Sequence, residues 1–200
     1  MQHSTLAYSI GNNLYLNVTD RCTLRCAFCP KHSAQPQVRG YDLSLKSRPE
    51  LRELAAAVGD PRAYREVVFC GFGEPTLRLK LVLQLSDYIR SRHGRVRINT
   101  DGLANLVHKR NILPRLAGRV DALSVSMNAH DEAVYNRHCR PQLGGSYQAM
   151  LAFLEEAPCH VAEVTATAIE GLEDVDIGAC RRLAQARGVR FRHRMLDVVG

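Results

Sequence analysis

Apolar and polar positions along this chain follow two rhythms that take turns. Runs that are β-branched, continuously apolar or alternating predict strands over residues 14–18, 66–70, 96–99, 122–127, 163–168 and 189–194. Between them the apolar period lengthens to that of a helix, with end signals to match. Ser47-Arg48-Pro49-Glu50 has capping-box spacing and opens a helix that stops at Gly59. Leu81, Leu85 and Ile89 form the stripe of a helix ending before Gly94. Ser146 is placed to cap a helix carrying Met150, Leu151 and Leu154, and Asp174 to cap one that stops at Gly188. Strands and helices in alternation imply parallel strands joined by helical crossovers.

Polar positions inside the strands narrow the architecture. Ser124, Ser126 and Asn128 share one face, as do Glu163, Thr165 and Thr167, and Arg190, Arg192 and Arg194. Strands covered by helices on both sides read as continuous apolar runs. A polar face suits a wet interior that holds a ligand. The expectation is an α/β fold: a partial (β/α)6 barrel with parallel strands inside and helices outside. An open doubly wound sheet is the alternative. There is no internal repeat, low-complexity tract or Ser/Gly-rich linker, so residues 1–200 are read as a single domain.

Composition leaves that picture intact. The chain has 200 residues, 46% hydrophobic and 24% charged, as in ordinary globular proteins. That length buries a core without staples. No apolar run approaches membrane-spanning length, and no basic segment followed by an apolar stretch opens the chain, which makes a cytoplasmic location the expectation. The net charge of +7 favours anionic partners: a nucleic acid, a phosphorylated or carboxylated substrate, or an acidic protein. Seven cysteines, three of them crowded within eight residues, match a secreted disulfide framework poorly and point first to a metal site.

That cluster is Cys22-Thr23-Leu24-Arg25-Cys26-Ala27-Phe28-Cys29, directly after the first predicted strand, with the spacing C-x3-C-x2-C. Three thiolates on one loop can hold three irons of a cubane. Ordinary clusters take four cysteines, so a three-ligand set leaves one iron open to a substrate or cofactor. The competing reading is zinc, which wants four ligands; His32 could be the fourth. The usual paired zinc spacings are absent. Cys70, Cys139, Cys159 and Cys180 are scattered, as small buried hydrophobes would be, although Cys70 could also serve a redox role.

The cysteine spacing, the aromatic Phe28 before the last cysteine and the place after strand one resemble the radical SAM superfamily. The run Tyr8-Ser9-Ile10-Gly11-Asn12-Asn13-Leu14-Tyr15-Leu16-Asn17-Val18-Thr19 in front is most similar to the TatD-associated radical SAM proteins. The resemblance implies a [4Fe–4S] cluster held by Cys22, Cys26 and Cys29, with S-adenosylmethionine on the fourth iron. Gly71-Phe72-Gly73-Glu74-Pro75 is similar to the family's GGEP motif, which meets the cofactor's amino group; Phe72 stands where its first glycine usually is. Read without the family, the same residues are an ordinary Gly/Pro turn. Thr100 and Asp101 fall where the family's third strand nears the methionyl part, though a turn capped by Asp101 explains them too. Ser124, Ser126 and Asn128 fall where its fourth strand meets ribose or carboxylate, and Ile169 where an apolar residue packs on adenine. A wet strand face and core packing are their alternatives. Tyr135-Asn136-Arg137-His138-Cys139-Arg140-Pro141 is similar to a stretch of the TatD-associated group; Arg140 could pair with a carboxylate or cap a helix end.

The chemistry so implied is one-electron cleavage of the sulfonium to methionine and a 5′-deoxyadenosyl radical, which takes hydrogen from an unidentified substrate. The cluster must work near the low end of the roughly −700 to +450 mV range of such centres, which calls for an external donor such as a flavodoxin or ferredoxin. The expectation is a laterally open barrel whose mouth is closed by a large substrate, a second subunit or a partner protein. If Arg192 and Arg194 point inward they favour an anionic substrate; if Phe191 and His193 do, the arginines are solvated. Two other readings stay open: an activase that places a glycyl radical on a partner protein, and a zinc-stabilised nucleic-acid-binding module.

Overall fold

The computed structural model describes residues 4–32 and 36–196. Nine strands and seven helices follow in the order β1 (Ala7–Ile10), β2 (Asn13–Asn17), β3 (Gln37–Val38), β4 (Tyr41–Asp42), α1 (Leu51–Val58), β5 (Glu66–Cys70), α2 (Leu79–Arg90), β6 (Val96–Thr100), α3 (Ala104–His108), α4 (Leu113–Leu116), β7 (Ala122–Asn128), α5 (Glu132–Cys139), α6 (Ser146–Glu156), β8 (Glu163–Glu170), α7 (Ile177–Gln185) and β9 (Arg190–Met195). Seven strands form one sheet in the order β1-β2-β5-β6-β7-β8-β9. From β2 to β9 every pairing is parallel, giving the expected six-stranded partial barrel with helices outside. β1 adds an antiparallel edge through the two-residue turn Gly11-Asn12, with Ile10 opposite Asn13.

Register explains how one sheet serves two environments. Leu14 and Leu16, Val67 and Phe69, Val96 and Ile98, Leu123 and Val125, and Val164 and Ala166 fall on one face, and all are buried in the main core against the helices. The alternate residues face inward: Tyr15, Val68 and Arg97 in one row; Cys70, Asn99, Ser124 and Thr165 in the next; then Ser126, Thr167 and Arg192; then Ile169 and Arg194. On the β1 side a second cluster of Tyr8, Tyr15, Val38, Leu43, Val68 and Phe72 fills the interior, partly supplied by the β3–β4 hairpin. The remaining inner face is polar.

The helix ends differ from expectation in three places. Glu50, not Ser47, precedes α1, and the Glu53 carboxylate accepts the Glu50 backbone N–H at 2.7 Å, so the reciprocal box sits three residues later. Ser146 is the first residue of α6 rather than its cap; Gly145 takes the cap with φ 70°, and the Ser146 hydroxyl donates to the Leu143 carbonyl. Asp176, not Asp174, caps α7 by accepting from the Ala179 N–H at 2.9 Å, while Asp174 pairs with Arg137. No helix of the described residues is long and apolar enough to cross a membrane.

Candidate active site

The cysteine loop leaves the C-terminal end of β2 and folds over the strand ends. Two sets of contacts fix it. On one side, α5 and the residues after it pin the loop by backbone bonds. The Arg25 N–H donates to the Cys139 carbonyl at 3.1 Å, Ala27 to His138 at 2.8 Å, and the Gln142 N–H donates to Thr23 at 2.9 Å. Leu24 bridges Pro141. This is the work of the Tyr135–Pro141 stretch. Arg140 itself ends α5 in the left-handed conformation with φ 47°, and its side chain is exposed. On the other side lies the loop after β5. A methyl group on Gly73 would stand 2.4 Å from the Arg21 carbonyl oxygen and 2.6 Å from that of Thr19, so only glycine allows this backbone-on-backbone approach. The Glu74 N–H then donates to the Arg21 carbonyl at 2.8 Å. Gly71, with φ 116°, packs as closely on the Asn17 side chain.

Several residues expected to meet a cofactor spend their side chains inside the protein. The buried Glu74 carboxylate accepts from the Thr76 N–H at 3.0 Å, the Thr76 hydroxyl at 2.6 Å, the Thr100 hydroxyl at 2.8 Å and the Asp101 N–H at 2.7 Å. Asp101 accepts from the Thr23 hydroxyl at 2.7 Å and the Leu103 N–H at 2.9 Å. The two carboxylates thus stitch the ends of β5 and β6 to the cysteine loop. Burial, with Asp101 beside it, pushes the Glu74 carboxyl up to about 8, and burial raises Asp101 as well. Pro75 is buried, and the Phe72 ring lies among Tyr8, Tyr15 and Val68. Ser124 is buried and Ser126 half-buried on the inner face. Asn128 does not continue their row. A bulge between Ser126 and Asn128 breaks the alternation, Asn128 takes φ 62°, and its amide nitrogen donates to the Cys139 sulfur at 3.4 Å. Ile169 is buried at the end of β8, and half-buried Phe28 packs against the main core.

The three thiols are half-buried and free of disulfides. Burial, with Asp101 near, raises the Cys22 thiol, a hydrogen bond with Cys139 raises Cys26 ahead of burial, and burial raises Cys29. Iron would remove those protons. Among the described residues no three His, Cys, Asp or Glu side chains converge on one ion position. A tetrahedral ion needs such convergence; a cubane takes each thiolate on a different iron. Polar atoms without protein partners gather nearby. Of the seven buried side-chain atoms in that state among the described residues, four lie at this mouth: Asn17 Oδ1, Asn128 Oδ1, the Tyr135 hydroxyl and Arg194 Nε.

The radical SAM superfamily model matches residues 16–183. The chain belongs to the radical SAM superfamily. Two curated relatives, both GTP 3′,8-cyclases, are 30% identical over 183 residues in Erythrobacter litoralis and 26% identical over 188 residues in Corynebacterium glutamicum. The alignments cover 88% and 92% of this chain but 51% and 48% of those proteins, so the chain spans about half the length of the curated relatives it matches. The crystal structure of Streptococcus suis SuiB bound to S-adenosylmethionine superimposes with a TM-score of 0.69 at 13% identity, covering 96% of this chain and 42% of that one, which shows the shared fold.

Radical SAM proteins use a [4Fe–4S] cluster and S-adenosylmethionine, and the residues here fit both. The cysteine donor set suits three irons, the Gly73 segment brings backbone against the loop, and buried polar atoms without protein partners lie nearby. Two residues were not singled out from sequence. Tyr135 is fully buried under the loop, and Cys139 lies beside Cys26 and raises its pKa. The signal for both was the stretch they belong to; what it lacked was the fold that carries α5 onto the loop.

Proposed function

We propose that this chain is a radical SAM catalyst in which Cys22, Cys26 and Cys29 hold the cluster and the inner face of β5–β9 receives the substrate. One observation carries the reading: the three-cysteine loop is clamped over the strand ends between the α5 terminus and Gly73. When bound, the cluster and S-adenosylmethionine supply one-electron cleavage of the sulfonium, which yields a carbon radical able to take hydrogen from a substrate. The protein's share is placement. Backbone groups of residues 71–75 line the cofactor side, Ser124 and Ser126 offer hydroxyls, and Ile169 offers an apolar surface for the adenine. The buried Glu74–Asp101 pair holds two strand ends and the loop in one rigid unit, keeping the thiols in register.

A low-potential donor such as flavodoxin or ferredoxin supplies the electron, and a +7 chain suits an acidic one. The finer placement among TatD-associated proteins rests on the motifs quoted from the sequence. The relatives named as GTP 3′,8-cyclases make a purine nucleotide the first substrate to try. The test is anaerobic reconstitution. Four irons and four sulfides per chain, with 5′-deoxyadenosine released under a strong reductant, support the reading; Cys26→Ala should lose both while staying folded. Cleavage retained in Cys26→Ala would overturn it.

A further inference from the structure

The inner face carries arginines at both ends, and they are treated differently. Near the strand starts, Arg97 pairs with Glu66 at 2.9 Å, Arg95 with Glu66 at 3.2 Å and with Glu163, and Arg190 with Glu163 at 2.8 Å. Two residues and four residues further along β9, the exposed Arg192 and the half-buried Arg194 share the face of Arg190, and neither pairs with a carboxylate among the described residues. Phe191 instead faces the helix layer, with the Arg181 guanidinium 5.3 Å from its ring, and His193 pairs with Glu170 at 3.4 Å. The strand orientation left open by sequence is therefore settled: the arginines point in.

Arg194 is the informative one. It is largely withdrawn from solvent, yet its Nε has no acceptor. Burial lowers its pKa and the like charge of Arg192 lowers it further, while Cys70 and Cys26 nearby act in the opposite direction. A buried cation without a counterion is costly, and a second cation beside it adds to the cost. Such an arrangement persists where an anion completes it. Side chains two apart on a strand stand about 7 Å from one another, close enough for two guanidinium arms to converge on one anion, and a phosphoryl group offers them three acceptor oxygens where a carboxylate offers two. Thr167, in register with Arg192, adds a hydroxyl, and Ile169, in register with Arg194, closes the site on the β8 side.

We propose that Arg192 and Arg194 form a subsite for a phosphoryl group of the substrate, anchoring it on the β9 edge so that the rest of the molecule reaches toward the cysteine loop. This rests on the reading of the chain as a radical SAM enzyme, but its test does not need the cluster. The full chain, metal-free, is titrated calorimetrically with inorganic pyrophosphate and, separately, with citrate. Wild type should bind pyrophosphate more tightly than citrate. Arg194→Gln should weaken pyrophosphate by about tenfold or more, Arg192→Gln/Arg194→Gln should abolish binding, and Arg182→Gln on the exposed face of α7 should leave it unchanged. Thermal melting is the control. Removing an unpartnered buried cation should leave the melting temperature unchanged or raise it; a marked fall would make Arg194 a structural ion and overturn the proposal. So would equal binding by wild type and Arg194→Gln, absence of binding in wild type, or citrate preferred over pyrophosphate. Titration with S-adenosylmethionine separates the remaining source of an anion. If Arg194→Gln loses cofactor and pyrophosphate never binds, the arginines serve the cofactor's carboxylate and the substrate assignment falls. Failure to take up iron would sink the catalytic reading while leaving these titrations intact.

Discussion

The two ends of one sheet face make the instructive comparison. At the base, Glu66 and Glu163 neutralise Arg95, Arg97 and Arg190 in a chain of ion pairs that ties β5, β6, β8 and β9 together. At the mouth, Asn17, Asn128, Tyr135 and Arg194 each keep a buried polar atom without a partner. On β9 the same face and the same residue type yield a closed network at Arg190 and an unpartnered Nε at Arg194. The base is arranged for stability. The mouth carries a cost in stability that a bound group would offset.

That contrast can be broken at either end. The largest effect is expected from Gly73→Ala, which forces a methyl group into two carbonyl oxygens; it should cost about 3 kcal/mol in urea unfolding and reduce iron incorporation by displacing the cysteine loop. At the base, Glu66→Gln strips the carboxylate from the largely buried Arg97 and one of two carboxylates from Arg95. It should cost about 2 kcal/mol with iron uptake preserved, and a loss smaller than that of Arg194→Gln would erase the distinction between base and mouth. Next comes pH. Glu74 holds its proton in the fold up to about 8 but releases it near 4.5 when unfolded. The native state therefore binds more protons across that window, and stability of the metal-free protein should fall as pH rises through it. Glu74→Gln should flatten that slope; a slope that survives would place the proton elsewhere. Smallest is Tyr135→Phe. Its hydroxyl has no partner, so the variant should change stability by less than about 1 kcal/mol, whereas the reduction potential of the reconstituted cluster should shift if the hydroxyl faces it.

Local patterns carried most of the architecture. The six parallel strands follow from runs such as Val67–Phe69 and Val96–Ile98, in which Val67, Phe69, Val96 and Ile98 face the helices, and the polar alternates on β7, β8 and β9 do line the interior. The missed hairpins had weaker signatures. Gly11-Asn12, with positive φ at Gly11, and Arg39-Gly40, with positive φ at both residues, are two-residue turns, but the strands they join are four residues or fewer on at least one side, too short to show a period. In the site, the three cysteines and the Gly73 segment were legible because their chemistry is local. Asn128 was misplaced on the row of Ser124 and Ser126 because a bulge is invisible to strict alternation. Cys139 and Tyr135 were passed over because their meaning depends on where α5 lands, which no neighbouring residue dictates. Arg192 and Arg194 sat between two faces until Phe191 showed which side the helix takes.

The clamp on the cysteine loop has a consequence for the order of events in the life of the chain. Thiols at positions 22 to 29 are held by carbonyls and amides at 138 to 142, a closure spanning more than half the polypeptide. Closing so long a circuit is slow and comes late relative to local turns. On the ribosome the cysteines emerge before α5 and have no fixed geometry until it has followed and docked. Metal delivered earlier would meet a floppy trident, so maturation of the centre belongs after translation of α5, and amide exchange at Ala27 should report when that moment arrives.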